Sequence, residues 1–375
     1  MSGKKKRYKV REHQLYTVKR AVWKKLKGEN RIDEVYRFRA RKIDWTSRLF
    51  QPGAMLQEAL FKRPIRKLSL NGHPPVFILG VWRSGTTHLH YMMAQDPQFG
   101  YLKNHQAFTL NLSLLSLDRF NKIFNIFVPG KRPQDNVKLT LNDPAEEEQP
   151  MSTMTTRSSI HSFYFPRNQQ YFKKYHLFEG ITEQEKARWK KEYLFLLKNI
   201  ALYNKKKDLV LKNPHNTGRI RELLELFPDA RFIFLHRDPY TVYRSTRKLY
   251  NRMINSQFLQ FVSQREIERL ILETNSGILR KYLHERELIP RGNLVEVPFE
   301  QLETSPLKTL EAIYSQLGMI GFETARPRVE KYLQSVSSYK KNRYRPLAAR
   351  LVNRVNQEWD FWFDSFGYER MIPGR

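Results

Sequence analysis

Four short apolar runs punctuate the chain. Pro75-Val-Phe-Ile-Leu-Gly80-Val81 is continuous rather than alternating, as expected of a buried parallel strand, residues 208–212 read as a second buried strand, and 231–236 and 293–297 as a third and a fourth. Helical spacing predicts helices over 87–93, 183–203, 219–227, 240–250 and 305–317, the last opened by Ser305-Pro306. Loops are expected around 129–135 and 142–150. Strands alternating with helices of this length predict an α/β fold, P-loop-like and three-layered, with a central parallel sheet and helices on both faces. The pattern holds no internal repeat.

Residues 1–70 are patterned differently. Leu15, Val18, Val22 and Leu26 recur at helical spacing among Lys19, Arg20, Lys24, Lys25 and Lys27. A second helical stretch, 36–61, carries Trp45, Leu49, Phe50, Leu56, Leu60 and Phe61 and is broken at Pro52-Gly53. The chain therefore divides into a basic helical N-terminal extension, 1–70, and a main domain, 71–375.

Charge sharpens this division. The whole chain has 67 Lys and Arg against 37 Asp and Glu, a net of +30, and the extension alone has 21 against 6, a net of +15. Such a surface draws polyanions, whether nucleic acid, anionic headgroups, acidic glycans or phosphorylated small molecules. The extension is expected to pack on the main domain. A peripheral membrane contact is the next reading, because Trp23 and the basic face suit the headgroup plane. No zinc-finger spacing, single-strand aromatic pattern or helix-turn-helix supports nucleic acid, which is not expected as a partner. No apolar run approaches the roughly 18 residues of a membrane span, and Met1 is followed by charge rather than by a secretory signal. Zero cysteine excludes a disulfide framework, a thiolate metal site and a cysteine nucleophile, and fits a cytoplasmic location.

The most informative stretch is Gly80-Val-Trp-Arg83-Ser84-Gly85-Thr86-Thr87, which follows a strand and opens a helix. There backbone N–H groups and the positive helix end converge on an anion. Its spacing is that of a Walker loop, but Thr86 stands where that motif has its phosphate-binding lysine. A triphosphate would lose its main cation unless Arg83 substituted for it. Thr87 keeps the hydroxyl used for magnesium, yet no strand-borne aspartate completes a metal site. The loop is expected to cradle a short anionic group without a metal. A second anion site is expected where Arg237 ends a strand and Ser245 follows eight residues later on the next helix, both able to reach one group. Two anion sites on one sheet suggest a nucleotide phosphorylated at two places.

On these motifs the chain resembles the sulfotransferases that use 3′-phosphoadenosine 5′-phosphosulfate (PAPS), most closely their broad bacterial-type branch, from about Pro74 to Tyr368. The resemblance implies that Arg83, Ser84, Gly85, Thr86 and Thr87 hold the 5′-phosphosulfate and that Arg237 and Ser245 hold the 3′-phosphate. It implies that Lys212, with Arg83, stabilises the transferring group, and that Lys340 and Lys341 belong to a late basic loop over the nucleotide. PAPS is then the cosubstrate, with no metal. Two positions depart from the cytosolic members: His88 stands where they carry a tryptophan on the adenine, and Pro214 where they carry a histidine, with His215 one position late.

Sulfuryl transfer needs a base for the acceptor's proton. The sequence leaves this open among Glu146, Glu147, Glu148, His215 and His105. Asp143 as N-cap, Pro144 and Glu146 at N3 would form a capping arrangement, which leaves Glu147 and Glu148 surplus. Two other readings stand beside sulfuryl transfer: a nucleotide-dependent kinase, and a non-catalytic polyanion- or membrane-binding protein on the same fold. The acceptor, a hydroxyl or amine of a lipid, glycan or small molecule, is not written in the sequence.

Overall fold

The computed structural model describes residues 13–115, 140–337 and 346–373; Lys340 and Lys341 lie outside the described residues. Four parallel strands, β1 (Val76–Leu79), β2 (Val210–Lys212), β3 (Arg231–His236) and β4 (Leu294–Pro298), form one sheet in the order β2-β1-β3-β4. Phe77 pairs with Leu211 on one side and Phe232 on the other, and Ile233 pairs with Val295.

Alternate side chains of β1, β2 and β3 enter two different cores, which is why their central positions are apolar, whereas the edge strand β4 alternates and leaves Glu296 exposed. Phe77, Leu79, Leu211, Phe232 and Phe234 face the larger core, with Trp189 and Tyr193 of the helix Glu183–Asn204 and Tyr282 of the helix Gln264–Glu285. Val76, Ile78, Val210, Ile233 and Leu235 face the smaller core, which includes Leu310 and Ile313 of the helix Pro306–Gln316. The expected three layers are present. Chain direction across the sheet reverses between β1 and β3, since β1 leads to β2 on one side and β3 returns on the other. Open α/β sheets bind ligands at the carboxyl ends of the strands flanking such a reversal.

The segment before residue 71 shares the larger core: Leu15, Trp23, Leu26 and Ile43 are buried with Phe77 and Phe232. Each such large apolar side chain stabilises the fold by about 1.5–3 kcal/mol relative to exposure. Trp23, which suited a membrane in the sequence, is consequently withdrawn from solvent. Three helices follow in order here, α1 (Arg20–Glu29), α2 (Arg37–Leu49) and α3 (Gln51–Lys67). The helix expected from Leu15 begins only at Arg20, because Val18 is extended and residues Gln14–Thr17 form a 3-10 turn capped by His13. Pro52 does not break a helix but opens α3 in its first turn, where a missing N–H costs nothing. Two further elements matter for the site: α4 (Thr86–Met93) and α5 (Asn104–Thr109).

Candidate active site

The loop after β1 turns on three residues with positive φ: Gly80 (141°), Arg83 (73°) and Gly85 (98°). A Cβ on Gly80 would lie 2.5 Å from the Leu235 carbonyl oxygen, and one on Gly85 would lie 2.0 Å from the Phe299 ring, so both positions need glycine. Arg83 adopts its left-handed backbone at a cost of roughly 1–2 kcal/mol. The surroundings hold the turn: Gly80 N–H donates to Thr217 Oγ1 (2.8 Å), and buried Ser84 donates from its hydroxyl to the Val81 carbonyl (2.8 Å). Gly85 then caps α4, whose first-turn N–H groups have no partner within the helix.

The two expected anion sites meet at this loop. Arg83 Nε donates to Ser245 Oγ at 2.8 Å, and an Arg237 guanidinium nitrogen lies 3.4 Å from the Arg83 carbonyl oxygen. The Arg237 guanidinium also lies 4.1 Å over the Phe299 ring. Asp238, beside it, is occupied as a helix cap, accepting from Thr241 N–H at 2.7 Å. Gly85, Arg83, Ser245, Arg237 and Phe299 thus gather at the carboxyl ends of β1, β3 and β4. His88 on α4 is next to Tyr332, with Nδ1 3.3 Å from its hydroxyl; burial lowers the imidazole pKa.

Lys212 ends β2 opposite Ile78, two residues before Gly80. Its ammonium is buried and paired with Glu146, whose side chain is 24% exposed. The three glutamates separate sharply. Glu146 alone reaches solvent. Glu147 is fully buried; one oxygen accepts the Lys212 backbone N–H at 3.0 Å and the other has no hydrogen-bond partner among the described residues. Burial pushes its carboxyl up to about 8, against a smaller opposing pull from the Lys212 N–H and charge. Glu148 is clamped by Arg219 (2.7 Å), the Ser158 hydroxyl (2.7 Å), Ser159 N–H (3.0 Å) and the Asn213 amide (3.0 Å). Burial alone would raise its pKa, but the Arg219 charge and these donors hold it well below the usual carboxylate range. Glu148 is therefore part of a closed ion pair rather than a group facing a substrate.

The capping arrangement expected at Asp143 is absent. Asp143 instead accepts from Thr140 N–H and Oγ1, both at 2.7 Å, and Pro144 bridges Lys103, so the helix Glu148–Met154 starts only after Glu147. This pairing with residues 102–104 is non-local, and local spacing carries no sign of it. The two candidate histidines are enclosed. His215 is fully buried, with Ser159 Oγ 2.6 Å from Nδ1 and the Trp82 ring edge-on at 4.8 Å, and burial lowers it to about 4. His105 Nδ1 lies 3.0 Å from the Leu141 carbonyl, and its Nε2 lies 3.0 Å from the Tyr203 hydroxyl. Arg219, Thr217 and Phe299, which the sequence reading did not single out, contact Glu148, Gly80 and Arg237 respectively. Only Phe299, directly after a strand, stood where a signal could have been sought.

Residues 74–324 match the model of the sulfotransferase family. The chain is 30% identical over 317 residues to omega-hydroxy-beta-dihydromenaquinone-9 sulfotransferase Stf3 of Mycobacterium bovis and of Mycobacterium tuberculosis, spanning 84% of this chain and 81% of theirs. Among solved structures, sulfotransferase STF9 of Mycobacterium avium superposes with a TM-score of 0.67 at 19% identity, over 96% of this chain and 98% of that one. Sulfotransferase STF1 of Mycobacterium tuberculosis gives 0.62 at 18% identity, over 92% and 97%. These two share the fold. Taken with the glycine loop and its cationic neighbours, the matches establish that the chain belongs to the sulfotransferase family, enzymes that transfer a sulfuryl group from PAPS to an acceptor.

Proposed function

We propose that this sulfotransferase holds PAPS across the β1–β3 reversal and transfers its sulfuryl group to a lipid hydroxyl, with Glu146 as the general base. The observation that carries the reading is the Lys212–Glu146 pair at the end of β2, one strand away from the loop where Arg83, Ser245 and Arg237 meet. The site fits a molecule with anionic groups at both ends. It offers two guanidinium groups and a hydroxyl beside the glycine loop. When bound, PAPS supplies the sulfuryl group, which passes in line to the acceptor oxygen as its bond to the 5′-phosphate oxygen breaks.

This chain's residues bind, orient and move one proton. The α4 amides and Arg83 hold the 5′ end, while Arg237 and Ser245 hold the 3′-phosphate. Lys212, desolvated at the strand end, stabilises charge on the transferring group. Glu146 takes the acceptor's proton, because it is the one of the three glutamates open to solvent. The buried Glu147 fixes Lys212 from behind through the backbone N–H. With cations already supplied by side chains, the reaction needs no metal.

The mycobacterial relatives are named for an omega-hydroxylated quinone lipid, which supports a hydroxyl-bearing lipid as the acceptor class. The test is incubation of the protein with PAPS and panels of hydroxylated lipids, glycans and small phenols, with EDTA present, scored by mass spectrometry for one added sulfuryl group. Modification confined to lipids is expected. Modification confined to glycans or phenols would refute the acceptor assignment, and loss of turnover in EDTA would refute metal independence.

A further inference from the structure

Val22, Trp23 and Leu26 of α1 are buried, as are Ala40 and Ile43 of α2 and Ala54 and Ile65 of α3, but both α2 and α3 carry a second set of apolar side chains that are not. Phe38 (80% exposed), Trp45 (62%) and Leu49 lie on α2, and Met55, Leu56 and Leu60 on α3, all open to solvent. Exposed apolar side chains are normally scattered singly; six on two consecutive helices form a patch that calls for a partner. Their spacing is not random. Phe38, Trp45 and Leu49 stand seven and four residues apart, so they share one stripe of α2. Arg37, Arg41 and Arg48 run along one flank of that stripe, and Arg63, Arg66 and Lys67 complete the second helix.

From this arrangement we infer that α2 and α3 are a docking face for the surface of a lipid bilayer bearing anionic headgroups. An interfacial helix needs an apolar stripe to enter the acyl boundary and cations at its edge to meet headgroup charge. Both are present here. Charge decides between occupants: residues 31–67 hold ten Lys and Arg against four Asp and Glu. A second copy of the chain would set two cationic faces together, whereas an anionic membrane complements them. The face also shares a support with the site. Gln57 of α3 donates to the Leu110 carbonyl and accepts from Leu114 N–H, both at 2.7 Å, gripping the turn that continues α5. The start of α5 in turn carries the segment leading to Glu146, through the Asn104 N–H bond to the Asp143 carbonyl and the Lys103–Pro144 bridge. A molecule held in the bilayer would thus meet a face connected to the reacting groups by one short stretch of chain. The inference itself rests on α2 and α3 alone and is read without turnover.

Trp45 makes the test direct. The other five of the six tryptophans are buried, so the fluorescence that responds to vesicles is that of Trp45. The full chain is mixed with vesicles of phosphatidylcholine alone and of phosphatidylcholine with phosphatidylglycerol, with and without brominated acyl chains. Expected are co-sedimentation with the anionic vesicles only, weakened by salt, with a blue shift and bromine quenching that Trp45→Phe abolishes. Phe38→Ser with Leu49→Ser should lower partitioning about tenfold or more at an unchanged melting temperature. Arg41→Glu with Arg63→Glu should lower it towards that of neutral vesicles. Partitioning that survives both pairs, or a wild type that stays in solution with every vesicle, would overturn the proposal. So would a wild-type dimer that the Phe38→Ser, Leu49→Ser pair converts to monomer, which would make the face an interface between copies.

Discussion

Glu146, Glu147 and Glu148 are three identical side chains in succession with three different fates, set by what each one touches. Glu146 is paired with Lys212 and partly open, Glu147 is buried with one oxygen lacking a hydrogen-bond partner among the described residues, and Glu148 is locked to Arg219. Glu146→Gln should therefore lower kcat by about 10²–10⁴-fold while leaving nucleotide binding intact, as measured by steady-state kinetics beside calorimetry. Unchanged kcat would move the base elsewhere. Glu147 has a different signature. Its folded pKa lies above the ordinary carboxylate value, so the stabilisation from keeping it neutral is full below about 4.5 and is lost as pH rises through about 8. Urea midpoints of the wild type should decline from pH 6.5 to 8.5, and Glu147→Gln should flatten that decline. The sequence showed an excess of acid here but could not rank the three residues, because the ranking comes from Arg219, Lys212 and Asn213, which are distant in the chain.

At the scale of elements, the inner strands were readable because both of their faces are covered, which makes their central positions apolar. The glycine loop was readable because backbone geometry at Gly80 and Gly85 leaves no room for a side chain. Gly85→Ala should accordingly abolish nucleotide binding and destabilise the fold, by the clash with Phe299 as well as by its positive φ. A melting temperature equal to the wild type's would contradict that account of the loop. The 143–148 stretch was misread because it is held by the Lys103–Pro144 bridge rather than by a local cap. The tie between α3 and the 110–115 turn was equally invisible, since it depends on one buried glutamine. Gln57→Ala leaves the Leu110 carbonyl and the Leu114 N–H without that partner and should cost about 1–3 kcal/mol, read from denaturant unfolding.

At the scale of the whole molecule, the buried histidines predict a fold that loses stability in acid. Burial lowers the pKa of His13, His88, His105, His161, His176, His215 and His236, several of them to about 3 or 4. Depressed folded values mean stability that is present above about 6.5 and lost as pH falls through the folded pKa. Together with the opposite trend of Glu147, this predicts maximal stability near about pH 6.5. A midpoint that stays flat between pH 6.5 and 4.5 would refute the buried neutral histidines. The +30 net charge adds self-repulsion that grows as carboxylates protonate. The same excess cation suits a doubly phosphorylated donor, and that donor site is the centre of the account. Its most direct test is thermal unfolding with 3′-phosphoadenosine 5′-phosphate, beside ADP with Mg²⁺, in the wild type and in Arg237→Ala. At about 100 times its Kd a ligand specific to the folded state stabilises it by roughly 2.7 kcal/mol. The account predicts a shift of that size with the bisphosphate alone, lost in Arg237→Ala; no shift, or one with ADP and Mg²⁺ only, would contradict it.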